Sequence, residues 1–412
     1  MTVAADRRVD LVPRGKDQGY TEEDLALRRA WIEERTGCRL EHVGSSTLPA
    51  EELRGNVENP VGSVQVPLGV AGPLRVRGEH ADGEFYVPLA TSEGAVVRSY
   101  ERGMVALSRA GGATARIWLD ENRISPVFTF AGVAEAREFA RRLPELEDGA
   151  RRAAEATTRH GRLLRLVPHP VGRRVIVDLC FSTGDAHGMN LVSRAADAAC
   201  RWLVRTLRAD EGDGSGAGVE GFLLFSGREG EKRASGSLLA GGKGKTVTAG
   251  ALLPRRVVRA VLGTTPEALG GLFHDTVLGH VQAGSVGHNA HAANGLTALF
   301  IACGQDVANI ANSALAITEM ELTPEGDLHA SVTLPSLVVG TVGGGTALPT
   351  ARECLEMLGC FGTGGAPKLA EIAAATVLAG ELSFSAAIAA GETVLAHETF
   401  GRNRPGEDRI DG

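Results

Sequence analysis

The stretch Gly284–Asp306, GSVGHNAHAANGLTALFIACGQD, constrains this chain more than any other. It is rich in Ala, Gly, Leu, Ile and Thr, which predicts a close-packed helix. Yet it also carries His291, Asn294, Gln305 and Asp306. A carboxylate buried in such surroundings is costly unless a charged or hydrogen-bonding group partners it. The commonest reason to tolerate that cost is chemistry. The stretch therefore predicts a core helix that bears a functional site, with a partner for Asp306 elsewhere in the chain.

A chain of 412 residues, 43% of them hydrophobic, predicts two or three domains with ample core. Aromatic residues are scarce at 4% and glycines number 54, which suits close backbone approach in a large domain or an oligomer. The net charge of −7 argues against nucleic acid as the main partner. Cys38, Cys180, Cys200, Cys303, Cys354 and Cys360 show neither CxxC nor zinc spacing, so the expectation is reduced thiols and no metal. The segment from Asp6 to Lys16 is charged and lacks an apolar signal. No uncharged run is apolar throughout the ~20 residues that span a bilayer. A soluble, cytoplasmic protein without a membrane partner is expected.

Residues 21–36, TEEDLALRRAWIEERT, predict a helix capped by Thr21 and ended by Gly37. Residues 60–76, PVGSVQVPLGVAGPLRV, predict loop and strand. Thr91–Leu107 has helical spacing with Glu93 near its start. Between Ala113 and about Leu224, the strand-like runs ARIWL, VFTF, RRVIVDLCF and GFLLF alternate with Ala/Arg/Glu-rich helical runs. That is the pattern of a small α+β unit inserted in the chain. Residues 210–218, DEGDGSGAG, predict a surface loop. Beyond Pro254 the pattern is mainly helical, interrupted by LPSLVVGTVGGG at 334–345. No repeat of fixed period is present.

Several motifs admit two readings. GGKGKT at 241–246 resembles part of a phosphate-binding loop, but that pattern requires glycine where Leu239 stands. A tight glycine turn into a strand is the plainer reading. STGDAHGMN at 182–190 follows an apolar strand and is either a turn with a helix cap or a ligand loop. In the second case Asp185 holds a hydroxyl or amide. Taken alone, Glu93 reads as a helix-dipole acid, GEKRAS at 230–235 as solvated surface, and His397 as an isolated histidine. VGGGT at 342–346 is a plain loop or a close approach of backbone to ligand.

Together these segments resemble the 3-hydroxy-3-methylglutaryl-coenzyme A (HMG-CoA) reductases, in their class I form without a membrane anchor. The resemblance runs from VPRGKDQGYTEED (12–24) to HETFGRNR (397–404). It is carried by GNVENPVGSVQVPLGVAGPL (55–74), ATSEGAVVRSYERGM (90–104), TGDAHGMN (183–190), AGSVGHNAHAANGLTALFIACGQD (283–306), LPSLVVGTVGGGT (334–346) and TVLAGELSFSAAIAAG (376–391).

The resemblance implies NADPH-dependent reduction of HMG-CoA to mevalonate with release of coenzyme A, and no metal. Four catalytic groups fall on Glu93, Lys232, Asp306 and His397. Lys232 would stabilise charge developing on the thioester oxygen. His397 would protonate the departing thiolate. Glu93 would protonate the aldehyde and needs a raised pKa to do so. Asp306 would bind both Lys232 and Glu93, and Asn294 would orient Lys232. NADPH would meet Asp185, Gly188, Met189 and Asn190, the glycines Gly343, Gly344 and Gly345, and the pair Thr158 and Arg159. Arg402 falls on a second arginine for the adenosine 2′-phosphate. The substrate would meet Arg123, Ser226, Arg233, His291 and Asn294.

The implied fold is α+β: a large, mainly helical substrate domain (56–114 and 226–412) with an inserted ferredoxin-like nucleotide domain (115–225), after an N-terminal helical segment (1–55). Residues 226–238 would form the joining loop that carries Lys232. The resemblance also implies a homodimer or larger assembly whose active site lies between subunits, near ENPVG.

The chain departs from the family's pattern at named places. Its Asp-Lys-Lys is Glu231-Lys232-Arg233, and His187 replaces the first Met of DAMGMN. A Trp-Ile-Glu segment is LLAGG at 238–242. Asp275 stands where a lysine pairs with the substrate carboxylate, beside His274. Facing carboxylates repel, so reduction of a different acyl thioester in a specialised pathway is the alternative reading.

Overall fold

The computed structural model describes residues 11–15, 19–210 and 218–391. His397, Arg402 and most of the expected loop at 210–218 lie outside the described residues.

The N-terminal expectation holds in detail. Helix α1 (Glu22–Thr36) is closed at its start by Thr21, whose side chain accepts from Asp24 N while Asp24 reaches back. Gly37 ends it at φ +70. The buried Arg28 donates to the carbonyls of Pro13 and Pro60, fixing this helix to the chain ahead of the sheet.

The sheet begins with hairpin β1 (Leu68–Arg77) and β2 (Asp82–Ala90). Helix α2 (Val96–Arg109), β3 (Ala113–Ile124) and β4 (Val127–Phe130) follow. Then come α3 (Val133–Glu155), β5 (Arg162–Val171), β6 (Arg174–Ser182), α4 (Met189–Asp210) and β7 (Val219–Leu223). The remainder holds β8 (Lys243–Leu253), α5 (Pro266–Ala283), α6 (Ala292–Ala302), β9 (Ile317–Leu322), β10 (Leu328–Leu337), α7 (Pro349–Met357) and α8 (Gly365–Ala389).

Among the described residues one sheet runs β7-β4-β6-β3-β8-β10-β9, with β5 on β6 and the β1–β2 hairpin beside β3. Strand β3 serves two neighbourhoods. Thr114–Asn122 pair with Gly250–Lys243 of β8, whereas Asn122–Ile124 pair with Phe181–Leu179 of β6. Two hydrophobic cores lie on either side of that handover. One gathers α2, α6 and α8 with β1, β2, β8 and β10. The other gathers α3 and α4 on β4, β5 and β6, with Phe128, Phe130 and Phe139 stacked at its centre.

Helices predominate in the large unit, and the strands β8, β9 and β10 run alongside them. The Ala-rich composition beyond Pro254 hid β9 and β10, whose facing partners rather than their propensity make them strands. Strand β5 also escaped the sequence pattern. Pro168 and Pro170 interrupt it, and a proline is tolerated there because β5 pairs only with β6, at an edge. The glycine-turn reading of 241–246 is borne out: Gly241 and Gly242 have φ +81 and +87 and lead into β8. Helix α8 is long and apolar enough to cross a membrane, but 83% of its apolar window is buried against the first core.

Candidate active site

Lys232 projects from the loop between β7 and β8, with its own backbone at φ +55. For a non-glycine residue that conformation costs about 1–2 kcal/mol and persists only where neighbours over-determine it. Its Nζ lies 2.7 Å from Asp306 Oδ2. The expected pairing of these two residues is therefore present. The expected burial of Asp306 is not. Helix α6 stops at Ala302, Gly304 turns the chain at φ +62, and Asp306 stands exposed. There it caps the next turn by accepting from Ala308 N. The polar residues at the end of the small-residue stretch thus lie beyond the helix rather than inside it.

The same turn is pressed against the glycine loop. A Cβ on Gly304 would lie 2.3 Å from Gly345 O, and Gln305 Oε1 accepts from Gly340 N. Gly343 and Gly344 have φ +81 and +57, with open space where side chains would stand. The loop after β6 joins them: Thr341 N donates to Asp185 O, and Ala186 bridges Val342. Gly188 is at φ +80, where a Cβ would strike Thr183. The turn at Thr158 and Arg159 reaches the same region, since a Cβ on Gly161 would meet Leu191 just inside α4. Thr158 Oγ1 accepts from His160 N and Gly161 N. Arg159 and Asn190 are exposed, and Met189 is half-buried. Asp185 resolves its two readings in an unforeseen way. It caps a helix, but that helix is α8, through Gly364 N and Ala366 N.

Glu93 belongs to a different place. It lies three residues before α2, not in its first turn, and accepts from Asn294 Nδ2 at 2.8 Å. Within one chain, Asn294 therefore contacts Glu93. No hydrogen bond or ion pair among the described residues links Glu93 to Lys232 or Asp306. The reason is geometric. Asn294 is at the start of α6 and Asp306 follows its end, with about 12 Å of helix axis between Asn294 and Ala302.

Glu93, His291 and Asn294 open onto a cavity of about 610 Å³, walled by α2, Phe384 and Ala387 of α8, and Val261. His291 is sandwiched between Tyr100 and Phe384, at 4.9 Å from each ring. Burial brings its pKa down to about 4, so it is neutral at pH 7, and its Nε2 has no hydrogen-bond partner among the described residues. Glu381, which the sequence reading missed, holds this loop in place by accepting from Ala290 N and His291 N and from Thr318 Oγ1. Burial pushes its pKa up against those hydrogen bonds. An acid in an apolar helical run, one of two on α8 with Glu371, was the available signal.

The remaining expected substrate residues gather near the Lys232 loop. Arg123 is 7% exposed and donates to Ser237 Oγ, with Asp178 at 3.9 Å. Ser226 Oγ donates to Ser125 O, and the exposed Arg233 to Gly227 O. Arg228 adds a second guanidinium at 3.3 Å from Asp178. Glu231 turns inward to the fully buried Lys243, at 2.6 Å. Burial alone would raise the Glu231 pKa, but His187 and Lys243 together hold it at about 2.

Comparison with known proteins followed these observations. A family model described as hydroxymethylglutaryl-coenzyme A reductase matches residues 24–402. The chain is 44% identical over 395 residues to a 3-hydroxy-3-methylglutaryl-coenzyme A reductase of Aeropyrum pernix, covering 94% of this chain and 91% of that one. It is 44% identical over 384 residues to the same enzyme of Methanothermobacter thermautotrophicus, covering 92% and 94%. Its fold is similar to the Streptococcus pneumoniae reductase, with a TM-score of 0.64 at 20% identity over 89% of this chain and 96% of that one. A class II reductase from that organism, bound to NADPH in open conformations, superposes with a TM-score of 0.63 at 22% identity, covering 89% of this chain and 86% of that one.

Proposed function

The chain belongs to the hydroxymethylglutaryl-coenzyme A reductase family, and from that premise we propose how its residues reduce HMG-CoA to mevalonate and coenzyme A with NADPH. The observation that carries the proposal is the Lys232–Asp306 ion pair beside the loop of Gly343–Gly345.

Two NADPH molecules, bound in turn, would supply the two hydrides of each turnover. The residues present fit it: an open glycine backbone, the 185–190 loop paired to it, and the exposed Arg159. Lys232 faces the thioester oxygen as negative charge develops there, and Asp306 fixes the ammonium in place. His397 protonates the departing thiolate. Glu93, held by Asn294, gives its proton to the aldehyde oxygen. Arg123, Ser226 and Arg233 hold the substrate carboxylate.

Glu93 and Lys232 sit at opposite ends of α6, so one copy of the chain does not assemble them. The active site forms between two copies, the Glu93 cavity of one meeting the Lys232 loop of the other. Exposed apolar residues on α5, Leu278 and Val281, and the exposed Val64 and Val66 support such a contact. The inserted nucleotide unit spans about 115–225 between the two parts of the large domain, 56–114 and 226–412. Its strand order β7-β4-β6-β5, with α3 after β4 and α4 after β6, is that of a ferredoxin-like βαββαβ unit.

NADPH oxidation with racemic HMG-CoA tests this function, with Lys232→Ala as control. Turnover that the substitution abolishes supports it. Asp275 is exposed on α5 without an ion-pair partner among the described residues, which favours testing other acyl-CoAs alongside. Faster turnover of a thioester lacking a free carboxylate would assign the alternative substrate.

A further inference from the structure

We propose that Glu231 is a positioning residue: through its buried ion pair with Lys243 it fixes the backbone that presents Lys232, and through His187 it ties that backbone to the 185–190 loop. This rests on the reading of Lys232 as the catalytic cation.

The argument starts from Lys243. Its side chain is fully buried, and Glu231 is the carboxylate in ion-pair contact with it, at 2.6 Å. Its other contacts are weak, to Arg123 O at 3.5 Å and Met189 Sδ at 3.2 Å. A buried ammonium left without its carboxylate is strongly disfavoured, so the pair is locked. Lys243 is also the first residue of β8 and pairs with Asn122 of β3, so it is anchored in the middle of the sheet. Glu231 is therefore held against a rigid element, while the next residue sits in the left-handed region. A chain constrained on one side and strained on the other has one way to direct Lys232, and that direction meets Asp306 at 2.7 Å.

The second oxygen of Glu231 faces His187 Nε2 at 3.5 Å. His187 is in turn positioned through its carbonyl by Asn122 Nδ2, and its neighbour Ala186 bridges Val342 of the glycine loop. Asn122 thus pairs with Lys243 in the sheet and holds His187 by its side chain. One carboxylate joins the catalytic loop, the sheet and the loop beside the glycine backbone.

The test uses the full-length protein, with kcat, both KM values and Tm measured for Glu231→Gln, Lys243→Met, the double variant Glu231→Gln/Lys243→Met and Glu231→Asp. A misplacement of about 1 Å costs on the order of 10²-fold, so each single variant is expected to lose about that much kcat with little change in KM. The double variant removes both charges and is expected to recover Tm but not kcat. Glu231→Asp is expected to recover part of kcat. A double variant that regains kcat together with Tm would reduce the pair to a stability role and overturn the proposal. So would a Glu231→Gln enzyme whose acyl-CoA KM rises while kcat holds, since that describes a substrate contact. A double-mutant cycle of Glu231→Gln with His187→Ala is expected to be non-additive in kcat, and additivity would detach the 185–190 loop from the anchor. Full turnover by Lys232→Ala would instead sink the catalytic reading of Lys232, which is a separate result.

Discussion

The two ends of α6 are built on opposite principles. At its C-terminal end, Lys232 and Asp306 are paired, exposed and surrounded by backbone from three loops. At its N-terminal end, Glu93 borders a cavity with apolar and aromatic walls, and His291 is neutral and sandwiched between rings. The first arrangement suits a fixed charge that meets developing negative charge. The second suits a carboxyl aimed by Asn294 at a substrate seated in the cavity. A single chain carries both environments without merging them, and the proposed second copy would bring them together.

The strongest way to break this comparison is to remove one end at a time. Glu93→Gln is expected to lower kcat by about 10²–10⁴-fold while leaving the Lys232–Asp306 pair intact. Lys232→Ala is expected to cost about 10²–10³-fold. Steady-state NADPH oxidation measures both, and a loss under tenfold for either would remove that residue from the chemistry. Mixing the two inactive variants then sharpens the comparison. Subunits that exchange at random form one intact site in half of the dimers, so about a quarter of wild-type activity should return. No recovery after co-expression would place all catalytic groups in one chain.

Smaller effects test the frame of the cavity. The His291 pKa is depressed to about 4 by burial, so the unfolded chain binds the extra proton between about pH 6.5 and pH 4. Its contribution to stability is present above pH 6.5 and is lost as pH falls towards 4, on the order of 3 kcal/mol in all. Urea unfolding at pH 7 and pH 4.5 reads this, and His291→Gln should flatten the difference. Gly295→Ala would place a Cβ 2.2 Å from the fully buried Tyr100 ring and is expected to cost about 1–3 kcal/mol. Asp185→Ala strips two amide acceptors from the start of α8 and is expected to cost about 0.5–2 kcal/mol. Its kinetic effect should be confined to the NADPH side, and a change in acyl-CoA KM alone would contradict the placement of the 185–190 loop.

Local chemistry was legible in the sequence because short-range rules decide it. The capping of α1 by Thr21 and the glycine turn before β8 follow from residue types at fixed spacing, whereas Lys232, Asp306 and Glu93 stood out only through resemblance to a family. What packs against what was not legible. Strand β10 is a strand because β8 lies beside it, and β9 because β10 does, while Asp185 caps α8 from nearly 180 residues away. Within one chain, Asn294 meets Glu93 and not Lys232 because a rigid helix keeps its two ends apart, a distance that no motif encodes. Lys243 reads as one of two lysines in a glycine-rich turn, and only the sheet beneath it makes that charge buried and Glu231 its partner. The sequence thus named the candidate groups for the proposed chemistry. The tertiary structure alone decided which of them stand together in one chain, because burial and long-range contact are properties of the packed chain and not of any local segment.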